Sequence, residues 1–405
     1  MTDKIYKDNL YISSKFKTLN EDINGLFDYH SKKLVRTRGK INISCYVVRN
    51  KANMINTIKN QYSNSKEDEI IFRVRKSLKP NKNVYQIINP IRKKLPKNEE
   101  NIEKLNNNIW YVIKSKDEFY ENKNEDYCLY ENDIIKIGKK KYEVTKFHFN
   151  NSLPEKNTSN GYNISERNKK AGEVFDMTLK SNQYIIDETD EETNSELNEE
   201  KNECRICLDG SSSKDNPKLR ICHCNDYIHF ECLKTYLSHK IKIQENLKHT
   251  VTTYIYHKFR CDVCLEQYQT RFKIPNIDKI YELVDVNLPL EFDFLVLESL
   301  NEYDKNNKTK VIHVINLLNT EQISIGRNSL NDIVDKDTSV SREHAEILFD
   351  RDNGKLVLRN KSKRYGTLVL VKDNINVQEK EINFQVGRTY VTANLEKEGS
   401  CVLRT

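Results

Sequence analysis

Cys204-Arg205-Ile206-Cys207, Cys222-His223-Cys224, His229-Phe230-Glu231-Cys232 and Cys261-Asp262-Val263-Cys264 are the four stretches that decide the reading of this chain. Seven of its ten cysteines fall within them. A Cys-x2-Cys pair puts two thiolates on one tight turn, at a bite that suits tetrahedral zinc. Four pairs supply eight ligands, enough for two complete sites, so two zinc ions are expected. The competing readings are a disulfide framework or a set of buried thiols. Both outer pairs have zinc-hairpin spacing and nothing upstream looks like a secretory signal, which favours metal. His223, wedged between two ligands, cannot easily turn its ring to the metal of either neighbour and is read as a bystander.

The ligand order Cys-Cys-Cys-Cys-His-Cys-Cys-Cys resembles the RING-CH (RING-variant) family. The opening Cys204-Arg205-Ile206-Cys207 and the run from His229 through Leu233 and Tyr236 to Leu237 carry the resemblance, with Tyr236 where the family has Trp. It implies a cross-braced module. Cys204, Cys207, His229 and Cys232 would hold one zinc, and Cys222, Cys224, Cys261 and Cys264 the other. It also implies docking of a ubiquitin-conjugating enzyme, with Ile206, Leu233 and Tyr236 as contact candidates and no catalytic residue. Ile206 reads equally well as part of a small core. All coordination positions are filled by protein, so no open position remains for water, and metal binding is folding energy. Two features depart from the family. Only four residues separate Cys224 from His229, where a longer, Gly-containing segment is usual, and Leu265 stands after the last ligand, where many active RING domains have a basic residue. The ligand order and the short gap also suit a PHD finger, with Phe259 as its aromatic. That alternative, a non-enzymatic histone-tail reader or structural scaffold, stays open.

A second block lies near the C-terminus: Ile325-Gly326-Arg327, Asn331-Asp332-Ile333, Ser341-Arg342-Glu343-His344-Ala345, Asn360, Ser362 and Gly366-Thr367. Between these loops run apolar segments of strand character, such as Ala345–Phe349, Lys355–Arg359 and Thr367–Val371, with Asp352-Asn353-Gly354 as a turn. The block resembles the forkhead-associated (FHA) domain, an antiparallel β-sandwich that binds phosphothreonine. The resemblance implies that Arg327, Ser341 and Arg342 meet the phosphate and that His344 supports the Ser341 loop. Arg327 suits a doubly charged phosphate because charge-assisted contacts to it are strong. Tyr365 precedes Gly366, where most FHA domains place a peptide-gripping Asn.

The rest of the chain fits around these blocks. Its 405 residues allow two to four domains, and a net charge of +7 with interspersed signs is no strong nucleic-acid signature. No apolar run reaches the roughly 20 residues needed to cross a bilayer. Cys45, Cys128, Cys401 and the ligand cluster suggest a reducing intracellular compartment, cytoplasmic or nuclear. In the N-terminal third, Asn108–Ile113 reads as a strand, and Leu129–Val144 as a hairpin turning at Gly138. The pattern Leu129-x3-Asp133-x-Ile135-x-Ile137-Gly138 resembles the closing hairpin of an FHA domain, without a Gly-Arg or Ser-x2-His upstream. Residues 149–203 are Asn, Ser and acid rich and are expected to be a disordered linker, with Thr189 and Thr193 as candidate phosphorylation sites for the chain's own FHA domain.

The expected architecture is therefore multidomain and mainly β: a two-zinc cross-braced RING-CH-type module followed by an antiparallel FHA β-sandwich, with a β-rich N-terminal domain. The expected divisions are an extension at 1–29, a β-rich domain at 30–148, the acidic linker at 149–203, the zinc module at 204–273, a connector at 274–291 and the FHA domain at 292–404. The domain at 30–148 is either a degenerate FHA-like sandwich or an unrelated β fold. The expected function is that of an E3 ubiquitin-protein ligase whose FHA domain selects a phosphothreonine-containing partner.

Overall fold

The computed structural model describes residues 8–16, 35–49, 55–59, 69–79, 82–89, 108–113, 126–149, 203–213, 215–224, 226–268, 271–273, 280–300, 309–363, 365–377, 381–387 and 389–397. The linker reading with Thr189 and Thr193, most of the 1–29 extension, and Cys401 lie outside them. The described residues are mainly strand, with one helix, Phe230–Ser238. Contacts group the chain into two compact units. One contains residues 1–146 with 320–405, and the other residues 147–319.

The first unit is discontinuous in sequence because the two ends of the chain complete each other's sheets. One five-stranded sheet runs Ile55–Lys59, Cys45–Arg49, Glu69–Lys79, Lys82–Ile88, Ile375–Val377. Another runs Ile333–Val334, Gln322–Gly326, Ala345–Asp350, Lys355–Asn360, Tyr127–Leu129. In chain order both have the same arrangement of four strands, closed at one edge by a strand from the far half of the sequence. The facing sheet repeats the relation. Ile382–Val386 and Thr389–Lys397 form a hairpin that pairs Ile109–Ile113 on one side and Asp8–Phe16 on the other. The hairpin Ile134–Ile137 with Lys140–His148 pairs through its first strand with Thr367–Leu370. Thr367–Leu370 and Ile109–Ile113 lie side by side and join the two halves. The N-terminal and C-terminal halves have thus exchanged closing hairpins.

Burial explains the pattern. Lys355–Asn360 alternates exposed and buried, as a strand with one solvated face must, whereas Thr367–Leu370 is buried throughout because it is central. The N-terminal sandwich has its own core, in which Phe72, Val74, Tyr85 and Ile87 of one sheet meet Leu10, Ile109, Phe384 and Val391 of the other. Phe72 and Phe384 make an edge-on contact at 5.3 Å. Gly138 turns its hairpin at φ +62°, and Gly354 turns the Ala345–Asn360 hairpin at φ +57°.

The second unit joins the eight candidate ligands to a four-stranded sheet ordered Lys242–Glu245, Val251–His257, Thr309–Asn316, Phe294–Ser299. The last two strands were expected to open a sandwich starting at 292; they group instead with the ligand-bearing segment through Val251–His257. One core spans the unit: Leu219, Ile221, Phe230, Leu233 and Leu237 beside the ligands pack with Tyr254, Tyr256, Phe294, Ile312 and Val314 of the sheet. The helix is amphipathic and buries Phe230, Leu233 and Leu237.

Candidate phosphate loops and metal-ligand clusters

The eight ligands fall into two groups of four: Cys204, Cys207, His229 and Cys232, and Cys222, Cys224, Cys261 and Cys264. Within each group the ligand atoms lie within 4.8 Å of one another. Tetrahedral zinc with Zn–S bonds of about 2.3 Å needs ligand atoms roughly 3.8 Å apart. The Sγ atoms of Cys224 and Cys261 are 3.7 Å apart, and His229 Nδ1 lies 3.2 Å from Cys207 Sγ and 3.9 Å from Cys232 Sγ.

The two Cys-x2-Cys turns share one backbone design. Leu208 N–H donates to the Cys204 carbonyl and Leu265 N–H to the Cys261 carbonyl, at 2.7 and 3.0 Å. Leu208 and Leu265, directly after the second cysteine of each turn, are left-handed at φ 62° and 60°. Paying this conformational cost twice with a branched residue means the turns are over-determined by their surroundings. His229 Nε2 faces the Ser211 carbonyl at 2.5 Å, which assigns its proton to Nε2 and leaves Nδ1 as a lone-pair donor toward the cysteines.

Electrostatics point the same way. Burial opposes the Cys204 and Cys261 thiolates, yet backbone N–H groups of their own turns hold these thiols down, to about 6 and about 5. Burial and the neighbouring Cys207 push Cys232 up to about 12. The cysteines clustered in each group cannot all be thiolates without a cation between them. Arg205 reaches from the first turn to Cys261 Sγ of the other group at 3.7 Å and to the Tyr268 hydroxyl at 3.2 Å. Sequence reading used Arg205 only as a motif letter, and nothing local signals that reach. The donor set fits a metal ion in each group. His223 belongs to neither; its ring and backbone N–H meet Glu266.

The three docking candidates separate. Ile206 is 44% and Tyr236 37% exposed, but Leu233 is 1% exposed. Helical spacing turns Leu233 into the core with Phe230 and Leu237, so it is corrected from surface contact to core residue. Leu208, Val263 and Leu265, at about 70% exposure each, extend the apolar surface of the two turns. The Tyr236 hydroxyl donates to Asp262, and the Lys240 ammonium lies over the Tyr236 ring.

In the first unit, the loops carrying Arg327 and Ser341 are clasped by backbone bonds. Arg327 N–H donates to the Ser341 carbonyl at 2.9 Å and Asn328 N–H to the Arg342 carbonyl at 3.1 Å. Gly326 permits this approach, since a Cβ there would come within 2.3 Å of the Arg342 carbonyl oxygen. Asn331 Nδ2 bridges the carbonyls of Asn328 and Arg342, both at 2.8 Å. His344 is fully buried; its Nδ1 accepts from Ser341 N–H at 3.0 Å and its Nε2–H donates to the Gly366 carbonyl at 2.9 Å. Burial holds this imidazole down to about 4, so it is neutral.

Ser341 Oγ lies 2.8 Å from Ser362 Oγ. Ser362 is held by Asn360, whose side chain bonds the Ser362 N–H and carbonyl and the Thr367 hydroxyl. Sequence reading noted Ser362 without a role. Its pairing with Ser341 is visible only once the two loops fold to one end. Arg327 and Arg342, on the two clasped loops, are exposed, and neither makes an ion pair among the described residues. Tyr365 N–H reaches Ser362 Oγ at 3.3 Å.

Residues 323–387 match the FHA domain family, so the chain carries an FHA domain there. No curated protein and no solved structure matches the chain.

Proposed function

We propose that this protein is a phosphothreonine-directed adaptor: its FHA domain selects a phosphorylated partner, and a two-zinc, cross-braced RING-CH-type module recruits a ubiquitin-conjugating enzyme to it. The observation that carries the reading is the clasp between the Arg327 and Ser341 loops. It leaves an exposed cation and the Ser341 hydroxyl on loops at one end of a rigid sandwich, where they can be aimed. Arg327 supplies the charge-assisted contact to phosphate, Ser341 donates its hydroxyl, Arg342 adds positive charge, and His344 holds the Ser341 backbone.

In the zinc module the ions are structural, with Cys and His filling every position, and they organise the two turns that bear Ile206 and Val263. Ile206 and Tyr236 are the docking contacts. Leu265, apolar and left-handed after the last ligand, favours a second reading in which the module is a PHD-like reader or scaffold without transfer activity.

The test uses the full chain. Binding of a degenerate phosphothreonine peptide library is expected, with none for the unphosphorylated library. Arg327→Ala should weaken it by roughly tenfold to a hundredfold, since hydrogen bonds to charged groups contribute about 1.5–3 kcal/mol. A panel of conjugating enzymes should show weak ubiquitin transfer that Ile206→Ala reduces with zinc content unchanged. No transfer with any enzyme, together with a clear histone-tail hit, selects the reader instead.

A further inference from the structure

The loop between Arg327 and Ser341 is held from behind by residues 193 and 200 positions away in the chain. The loop first bonds itself. Asp335 Oδ1 accepts the Asp337 N–H at 3.0 Å, Asp337 Oδ1 accepts the Ser339 N–H at 2.8 Å, and the Val340 N–H reaches the Asp337 carbonyl at 3.0 Å. Both ends of this ladder are then tied to the hairpin donated by the N-terminal half. The Tyr142 hydroxyl donates to Asp335 Oδ2 at 2.7 Å, and the Lys139 N–H donates to Ser339 Oγ at 2.9 Å. Gly138 makes the second tie possible: a Cβ there would stand 2.6 Å from both the carbonyl oxygen and Oγ of Ser339. Tyr142 and Ser339 are both 4% exposed, so water does not compete easily for these bonds. Asp335 spends one carboxylate oxygen on its own loop and the other on Tyr142. The position of the next residues, Ser339 to Ser341, is therefore set jointly by the two halves of the chain.

We infer that Tyr142 and the Gly138-Lys139 turn are positioning residues for phosphopeptide recognition, so that the N-terminal half of the chain is part of the FHA binding module. The inference rests on the phosphothreonine reading above. It follows from the hairpin exchange: the strands that close the sandwich under the Ser341 loop come from residues 127–146, while the strands following Thr367–Leu370 close the other sandwich. A hairpin that only completed the sheet would need no bonds to the loop. This one makes two, and both fall between the loop's two candidate phosphate residues.

Two arms on the full chain test it. Cys128 and Val357 are direct antiparallel partners, and both are half-buried. Directly opposed residues have Cα atoms about 4.5–5.5 Å apart, within disulfide range. Oxidised Val357→Cys protein cut within residues 150–202 should stay one band on a non-reducing gel. No cross-link, or one only between two copies, overturns the shared module. In the second arm, Tyr142→Phe should weaken binding of a fluorescein-labelled degenerate phosphothreonine peptide by about threefold to tenfold, the scale of one hydrogen bond. Hydrogen exchange should accelerate in 335–341 and stay unchanged in 345–350. If the unsubstituted chain binds no phosphopeptide, the functional reading fails separately, and exchange alone decides positioning. Unchanged protection at 335–341, or unchanged affinity where binding exists, overturns the inference.

Discussion

At the scale of single residues, His344 is fixed on both sides: its buried imidazole accepts from Ser341 N–H and donates to the Gly366 carbonyl. Cys-x2-Cys names its own partner three residues on, and Ser341-x2-His344 names the residue that holds its backbone. What could not be read are residues whose partner is distant: Ser362 opposite Ser341, Arg205 on Cys261, Tyr142 on Asp335. His344 gives a testable consequence. Folding requires its neutral form, because burial depresses the folded value to about 4 while an unfolded histidine titrates near 6.5. The unfolded chain therefore binds the extra proton, and stability falls as pH drops from about 6.5 toward 4, by on the order of 3 kcal/mol at the lower limit. Above that window the contribution is complete. Protection factors of amides in Ala345–Asp350, measured from pH 7 to 4, should show this fall in the unsubstituted chain and lose most of it in His344→Gln. Parallel curves for the two proteins would assign the acid sensitivity to other groups.

At the scale of elements, type was easier to read than partnership. The hairpin at Gly138, the strand around Trp110 and the turn at Asp352-Asn353-Gly354 all follow from periodicity and turn chemistry, and all are present. The partners of these elements are not encoded in any window, since a strand with one buried face is satisfied by many edges. The hairpin Lys242–Glu245 with Val251–His257 escaped notice because its outer strand is wholly exposed and carries no alternation. That hairpin couples the ligand segment to Phe294–Asn316, since one core covers both. Metal binding in such modules is folding energy. Native mass spectrometry should find two zinc ions per chain, and Cys222→Ser should lose one of them. Chelation should then raise hydrogen exchange not only around Cys204–Cys264 but also in Thr309–Asn316. Exchange in that strand that ignores the chelator would mean the sheet is stable without the metal-held part of its core.

For the whole molecule, the linear order of blocks misleads because each half of the first unit keeps its own first strands and takes its last ones from the other. The FHA match at 323–387 reads the chain in order and so runs into Ile375–Val377 and Ile382–Val386, which pair with Lys82–Ile88 and Ile109–Ile113. Conversely, the closing-hairpin pattern at Leu129–Gly138 was legible as sequence, but its place beside Leu356–Leu358 and Thr367–Val369 was not. A fragment cut at the expected boundaries, 292–404, would lack both neighbours of Thr367–Leu370, a strand buried along its whole length. It would also leave the Lys355–Asn360 edge open, and unpaired apolar edges invite aggregation. Residues 1–149 alone would lack Thr389–Lys397, the partner of Asp8–Phe16 across nine consecutive residue pairs. Each piece expressed alone should therefore be insoluble or unfolded, whereas 1–149 and 320–405 expressed together should co-purify and melt in one transition. Pairings this distant in sequence also carry a large loop-closure cost, so refolding of the joined unit should be slow compared with a sandwich of consecutive strands. A soluble, folded 320–405 fragment that binds phosphothreonine peptide as tightly as the full chain would show that the C-terminal half closes its own sandwich, and the exchange would have to be abandoned.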